Sequence, residues 1–128
     1  DIRFAAGRAL LLSDRNTELG EFYFRDLYRH SRFRKHLAAT SLAYCRRKSH
    51  PREARKLAGE GFNRILNSSA GDFECRFWLF YDAYMYGLTM EHLNDITEAR
   101  RGYRTSVRAN PHTAVADAAR SRLQDLGR

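Results

Sequence analysis

The side chains of this sequence able to do chemistry are five histidines, two cysteines, fifteen acids and a dense set of arginines. The histidines (His30, His36, His50, His92 and His112) fall mostly where helices should end, where an imidazole caps carbonyls or faces water. None has metal-ligand spacing. Glu91 and His92 are adjacent, and adjacent side chains on a helix point ~100° apart, a poor arrangement for an acid–base dyad. There is no H-E-x-x-H, no Gly-rich phosphate loop and no G-x-S-x-G. The reading is of a chain that is not an enzyme, with no catalytic residue, metal or cofactor. Cys45 and Cys75 lie far apart and outside any C-x-x-C, and read as free core thiols rather than a disulfide.

The arginines are unevenly placed. The stretch from 29 to 56 holds Arg29, Arg32, Arg34, Lys35, Arg46, Arg47, Lys48, Arg52, Arg55 and Lys56 against one acid, Glu53, a net +9 in a chain whose total is +8. Grouped around two inter-helix junctions, they form a basic patch suited to acidic peptides, nucleic-acid phosphates or anionic lipid heads. Nucleic-acid recognition normally interleaves such charges with exposed aromatics. Here the aromatics lie mainly elsewhere.

The elements that must carry these residues are helical. The chain of 128 residues is long enough for one domain with a real core, and its 43% apolar content excludes disorder. No run of ~18 apolar residues suggests a membrane span, and no signal peptide is visible. Starting at Asp1, the chain is expected to be a fragment of a longer or processed protein. A cytoplasmic location is the first expectation, with the bacterial periplasm if the parent carries a leader.

Apolar spacing predicts helices over 2–13, 17–30, 32–48, 51–66, 73–92, 96–109 and 112–126. Asn16 should cap the second, Pro51 should start the fourth at its first position, and Asp95 should cap the sixth. Thr113 should introduce the seventh and Gly127 should close it. Residues 67–72 form the one long polar loop. Gly20, Ala54, Gly87 and Ala99 are the small residues expected where helices touch. From Gly20 to Ala54 is 34 residues and from Ala54 to Ala99 is 45.

The stretch from Phe80 to Pro111 resembles the tetratricopeptide repeat (TPR) family. Gly87 falls on the glycine of the family's first helix, Ala99 and Tyr103 on the alanine and aromatic of its second, and Pro111 on its closing proline. Ala83 and Met90 depart from the family's aromatic positions. The ending is also similar to the last repeat of bacterial envelope TPR proteins. The helix order over 42–126 is similar to that of the mitochondrial fission adaptors. The resemblance implies an all-α, right-handed superhelix of three antiparallel hairpins plus a capping helix, with the first helix of each pair lining a concave groove.

By that alignment the groove is offered Thr40, Tyr44 and Arg47 by the middle pair and Tyr81, Tyr84, Leu88 and Glu91 by the last. The Lys and Asn of the family's carboxylate clamp are missing. The implied function is a non-catalytic scaffold or adaptor binding a peptide or protein partner, acidic in character, through this groove and the basic patch. The alternative is an RNA- or DNA-binding α-solenoid using the Arg29–Lys56 region.

Overall fold

The computed structural model describes residues 2–12, 17–31, 35–68 and 72–127. It is all helical over these residues: α1 (Ile2–Leu12), α2 (Thr17–His30), α3 (Lys35–Arg46), α4 (Pro51–Leu66), α5 (Phe73–Phe77), α6 (Leu79–His92), α7 (Ile96–Ala109) and α8 (Ala114–Leu126). Neighbours in sequence pack as pairs, α1 on α2, α3 on α4 and α6 on α7. The pairs are joined by α2 against α3 and by α3 and α4 against α6, and α8 closes the array against α7 and α6.

Local chemistry accounts for most of the boundaries. Pro51 opens α4, where its missing N–H costs nothing. The Asp95 carboxylate accepts from the Glu98 N–H at 3.3 Å and starts α7. The turn before it needs a left-handed residue, and Asn94 supplies it with φ 63°. The Thr113 Oγ1 accepts from the Ala116 N–H at 3.0 Å, so α8 starts at Ala114, two residues later than its periodicity suggests. Gly127 does end α8, but with φ −77° it uses none of glycine's left-handed freedom. The cap expected at Asn16 lies outside the described residues.

One expected helix is two. The stretch 73–92 breaks at Trp78, whose N–H still closes onto the Glu74 carbonyl while its own carbonyl accepts from the Tyr81 and Asp82 N–H groups. The break turns the Trp78 ring onto the Arg8 guanidinium, 3.9 Å from its centroid. It leaves Phe73 and Phe77 stacked on each other at 5.9 Å and 77% and 54% exposed.

Backbone meets backbone where α6 crosses α7. A Cβ on Gly102 would stand 2.8 Å from the Ala83 carbonyl oxygen and 2.8 Å from the Gly87 nitrogen, and a Cβ on Gly87 would stand 2.6 Å from the Tyr103 ring. Ala99 is buried one turn away, as expected, but the backbone approach is made by Gly102. Likewise in α4, Ala54 is buried while Gly61 makes the approach to α3, where a Cβ would meet the Ala39 methyl at 2.8 Å. The repeated unit is therefore Ala58-x-x-Gly61-Phe62 and Ala99-x-x-Gly102-Tyr103. Gly20, Gly61 and Gly102 stand 41 residues apart, beside the 34 and 45 that separate Gly20, Ala54 and Ala99.

The core threads these crossings through Phe24, Leu27, Leu42, Phe62, Tyr86 and Tyr103, each almost wholly buried. Phe62 stacks on Tyr86 with centroids 4.2 Å apart, locking the second pair to the third.

Gly102→Ala should cost about 2–3 kcal/mol in urea denaturation, because the new methyl meets backbone that cannot rotate away. Gly59→Ala, with nothing within 4 Å of the added carbon, should stabilise by about 0.5–1 kcal/mol through helix propensity. Equal stabilities for Gly102→Ala and the parent would show that the crossing is looser than described.

Candidate functional site: a tyrosine-lined hollow over a buried polar layer

The first helices of the three pairs, α1, α3 and α6, meet over a polar layer sealed from solvent. Arg8 on α1 is 5% exposed and lies among three aromatic faces, with Phe4 4.5 Å, Trp78 3.9 Å and Tyr81 5.1 Å from its guanidinium carbon. Asp82 on α6 is fully buried and accepts from the Thr40 Oγ1 at 3.0 Å. Arg8 Nε and Nη2 and Asp82 Oδ2 have no hydrogen-bond partner among the described residues. Burial pushes the Asp82 carboxyl up to about 7, against the opposing pull of the Arg8 charge and the Thr40 hydrogen bond. Burial also lowers Arg8, with Asp82 working the other way. The aromatic faces supply part of the charge stabilisation that the cation lost with water.

Beside this layer the same three helices leave a hollow of about 240 Å³ lined by Leu11, Leu12, Tyr44, Tyr84, Met85 and Leu88. Leu12 is 50% exposed there. The Arg47 guanidinium stacks on the Tyr44 ring at 3.8 Å and donates to the Tyr44 carbonyl at 2.8 Å, so it stands over Tyr44. Tyr84 leans on Tyr103 at 5.9 Å. Its pKa is raised, first by burial and then by the nearby Tyr44.

The five tyrosines of α3, α6 and α7 fall into two classes. Tyr81, Tyr86 and Tyr103 are core, and each hydroxyl has an internal partner: Ser41 at 3.2 Å, Glu98 at 2.6 Å and Glu91 at 2.8 Å. Tyr44 and Tyr84 are half-buried, and neither hydroxyl has a partner among the described residues. A half-buried phenol with a free hydroxyl gives a ligand both an apolar wall and a hydrogen bond.

Of the expected groove residues, the structure brings Tyr44, Tyr84 and Leu88 together in the hollow and stands Arg47 over Tyr44. Thr40 and Tyr81 belong elsewhere. Thr40 is fully buried and Tyr81 is 1% exposed, each tied into the interior by a hydrogen bond, and the Arg8 guanidinium lies 5.1 Å from the Tyr81 ring. Glu91 is spent on Tyr103 and on an ion pair with Arg122 of α8. Sequence reasoning missed Leu11, Leu12 and Met85. The apolar end of α1, with three consecutive leucines, was the available signal.

The basic patch is partly consumed by the fold. Arg46 is paired with both Glu21 and Glu53, joining α2, α3 and α4. Arg55 pairs with Asp95 at 3.0 Å, and Lys35 lies 4.9 Å over the Tyr28 ring. Arg29, Lys48, Arg52 and Lys56 remain exposed, and Arg32 and Arg34 lie outside the described residues. Cys45 and Cys75 are free, and burial pushes each thiol up to about 12, so neither is a thiolate near neutrality. No group of three or more metal-type ligands occurs among the described residues, and no helix is long and apolar enough to cross a membrane.

Comparison with known proteins gives no match to a family model, a curated protein or a solved structure.

Because the folded Asp82 holds its proton up to about pH 7 while the unfolded one releases it near 3.8, the folded state binds more protons in between. Asp82 therefore makes stability fall as pH rises from about 4 to about 7. His36, lowered chiefly by burial, contributes a slope of the opposite sign near its ordinary value. In urea titrations across this range, Asp82→Asn should remove the downward component. An unchanged pH profile in that variant would place the Asp82 proton elsewhere.

Proposed function

We propose that this chain is a non-catalytic interaction module that takes an apolar segment of a partner protein in the hollow between α1, α3 and α6. The observation that carries the reading is the pair Tyr44 and Tyr84, half-buried, with no hydroxyl partner among the described residues, facing the same hollow as the half-exposed Leu12. A concavity of about 240 Å³ walled by leucine, methionine and tyrosine suits one or two side chains, and the phenols can hold the peptide backbone beside them. Arg47, fixed over Tyr44, favours an acidic residue next to the anchor. The hollow's lining includes no His, Cys, Asp or Glu, so it offers recognition and not acid–base chemistry. The pairwise packing of α1–α2, α3–α4 and α6–α7 is compatible with a TPR-like scaffold and its superhelix, which belong to this same reading. Nucleic-acid binding would rest on the four exposed cations Arg29, Lys48, Arg52 and Lys56.

The test is selection from a random peptide library, followed by titration of the selected peptides. Leu12→Asp changes a half-exposed side chain and should leave the melting temperature within a few degrees. It should weaken the selected peptides at least about tenfold, or about 1.4 kcal/mol. Arg47→Glu should selectively weaken peptides that carry an acid beside the apolar anchor. Peptides that bind Leu12→Asp as tightly as the parent would sink the reading. So would a library that yields none, combined with salt-sensitive RNA binding lost in Arg52→Glu.

A further inference from the structure

A second surface lies on the side of the array formed by α4, α5, α6 and α7. Arg76 of α5 and Arg108 of α7 flank a hollow of about 280 Å³ whose apolar lining is Ile65, Leu66 and Leu79. Leu66 is 37% exposed. Neither arginine has an acidic partner among the described residues, in contrast to Arg46, Arg55, Arg101, Arg120 and Arg122, which are all paired.

Arg108 also lines a second hollow, of about 250 Å³, with Arg104, Val107, Arg120 and Leu123. Arg104 too is without an acidic partner among the described residues. Two hollows thus share one cation: the first mixes Ile65, Leu66 and Leu79 with Ser68 and two arginines, and the second is walled by Val107 and Leu123. The first hollow collects the C-terminal ends of α4 and α7, each equivalent to about half a negative charge. Two guanidinium groups outweigh those two half charges, so the hollow stays net positive.

We infer that this face is a second binding site, for a partner segment in which apolar and acidic side chains alternate. An apolar side chain sits in each hollow and a carboxylate between them reaches Arg108. Charge complementarity selects the acid, since guanidinium groups lacking internal partners gain most from a carboxylate. The apolar linings select its flanks. The site is independent of the hollow at Leu12, and it lies outside the stretch 29–56 where the net positive charge of the sequence is concentrated.

The probe is a fluorescein-labelled peptide alternating leucine and glutamate, with two controls: glutamines replacing the glutamates, and serines replacing the leucines. Binding is read by anisotropy at low and moderate salt on the full chain. The parent should bind the leucine–glutamate peptide at least about tenfold more tightly than either control. Arg108→Glu should weaken it at least about tenfold, and Leu66→Asp should weaken it too. Both changes are at exposed positions, and a thermal melt checks the fold. Arg52→Glu is the control for generic attraction, since at 1.5 Å per residue Arg52 lies ~20 Å from Ile65 along α4. It should leave binding unchanged, as should Leu12→Asp, so this inference and the proposed groove can fail separately.

Absence of binding at about 1 mM peptide, a weakness well below functional affinities, would overturn the inference. Equal loss in Arg52→Glu and Arg108→Glu would overturn it in favour of diffuse charge. Equal binding of the serine control would remove the apolar hollows from it. Single-stranded RNA bound with the same Arg108 dependence, and no peptide binding, would reassign the face to phosphate recognition.

Discussion

The meeting of two backbones at Gly87 and Gly102 is the constraint on which the packing of α6, α7 and α8 depends. Helices separated by side chains sit 8–10 Å apart, and glycine on both sides lets them reach the lower end of that range. The space so opened over Gly87 is taken by the ring of Tyr103, whose hydroxyl reaches Glu91 and through it Arg122 of α8. One close approach therefore sets the angle of α6 to α7, buries an aromatic ring and anchors the last helix. The stack of Phe62 on Tyr86 extends this order back to α4, with Glu98 and Arg101 holding the Tyr86 hydroxyl and the rim of the stack.

The inner side of the array is organised differently. There the fold buries a charge, and Arg8 lies against aromatic faces, with a buried carboxyl group nearby that burial pushes up to about 7. Such an arrangement adds little net stability, because desolvation offsets most of the attraction. It does tie α1 to the rest of the array, since the Arg8 guanidinium lies against the rings of Trp78 and Tyr81. The hollow beside it exists because α1 is held there with Leu11 and Leu12 opposite Tyr44 and Tyr84. The polar layer and the candidate ligand site are two consequences of one helix placement.

Much of the helix inventory was legible because its signals are local. Pro51, Asp95 and Thr113 mark helix starts through backbone chemistry that involves residues within one turn. The break at Trp78 was not legible. The apolar pattern runs through it without interruption, and the contact the Trp78 ring makes there is with Arg8, seventy positions away. Gly102 was available in principle, since Ala-x-x-Gly-aromatic occurs twice at the same offset. The more familiar alanine beside it drew the reading one turn too far. The candidate groove was half legible. The resemblance placed Thr40, Tyr44, Tyr81 and Tyr84 on one surface, but it could not say that Thr40 and Tyr81 are buried while Tyr44 and Tyr84 line a hollow.

What the sequence determined by itself was the all-helical class, most of the helix ends and the total charge, because propensity, capping and composition act over a few residues. Which cations are free was decided only by the tertiary structure. Arg46 finds Glu21 across 25 residues and Arg55 finds Asp95 across 40, whereas Arg76 and Arg108 find no acid among the described residues. Pairing at such separations depends on how helices are stacked, and stacking follows from the shapes of buried surfaces that no local pattern encodes.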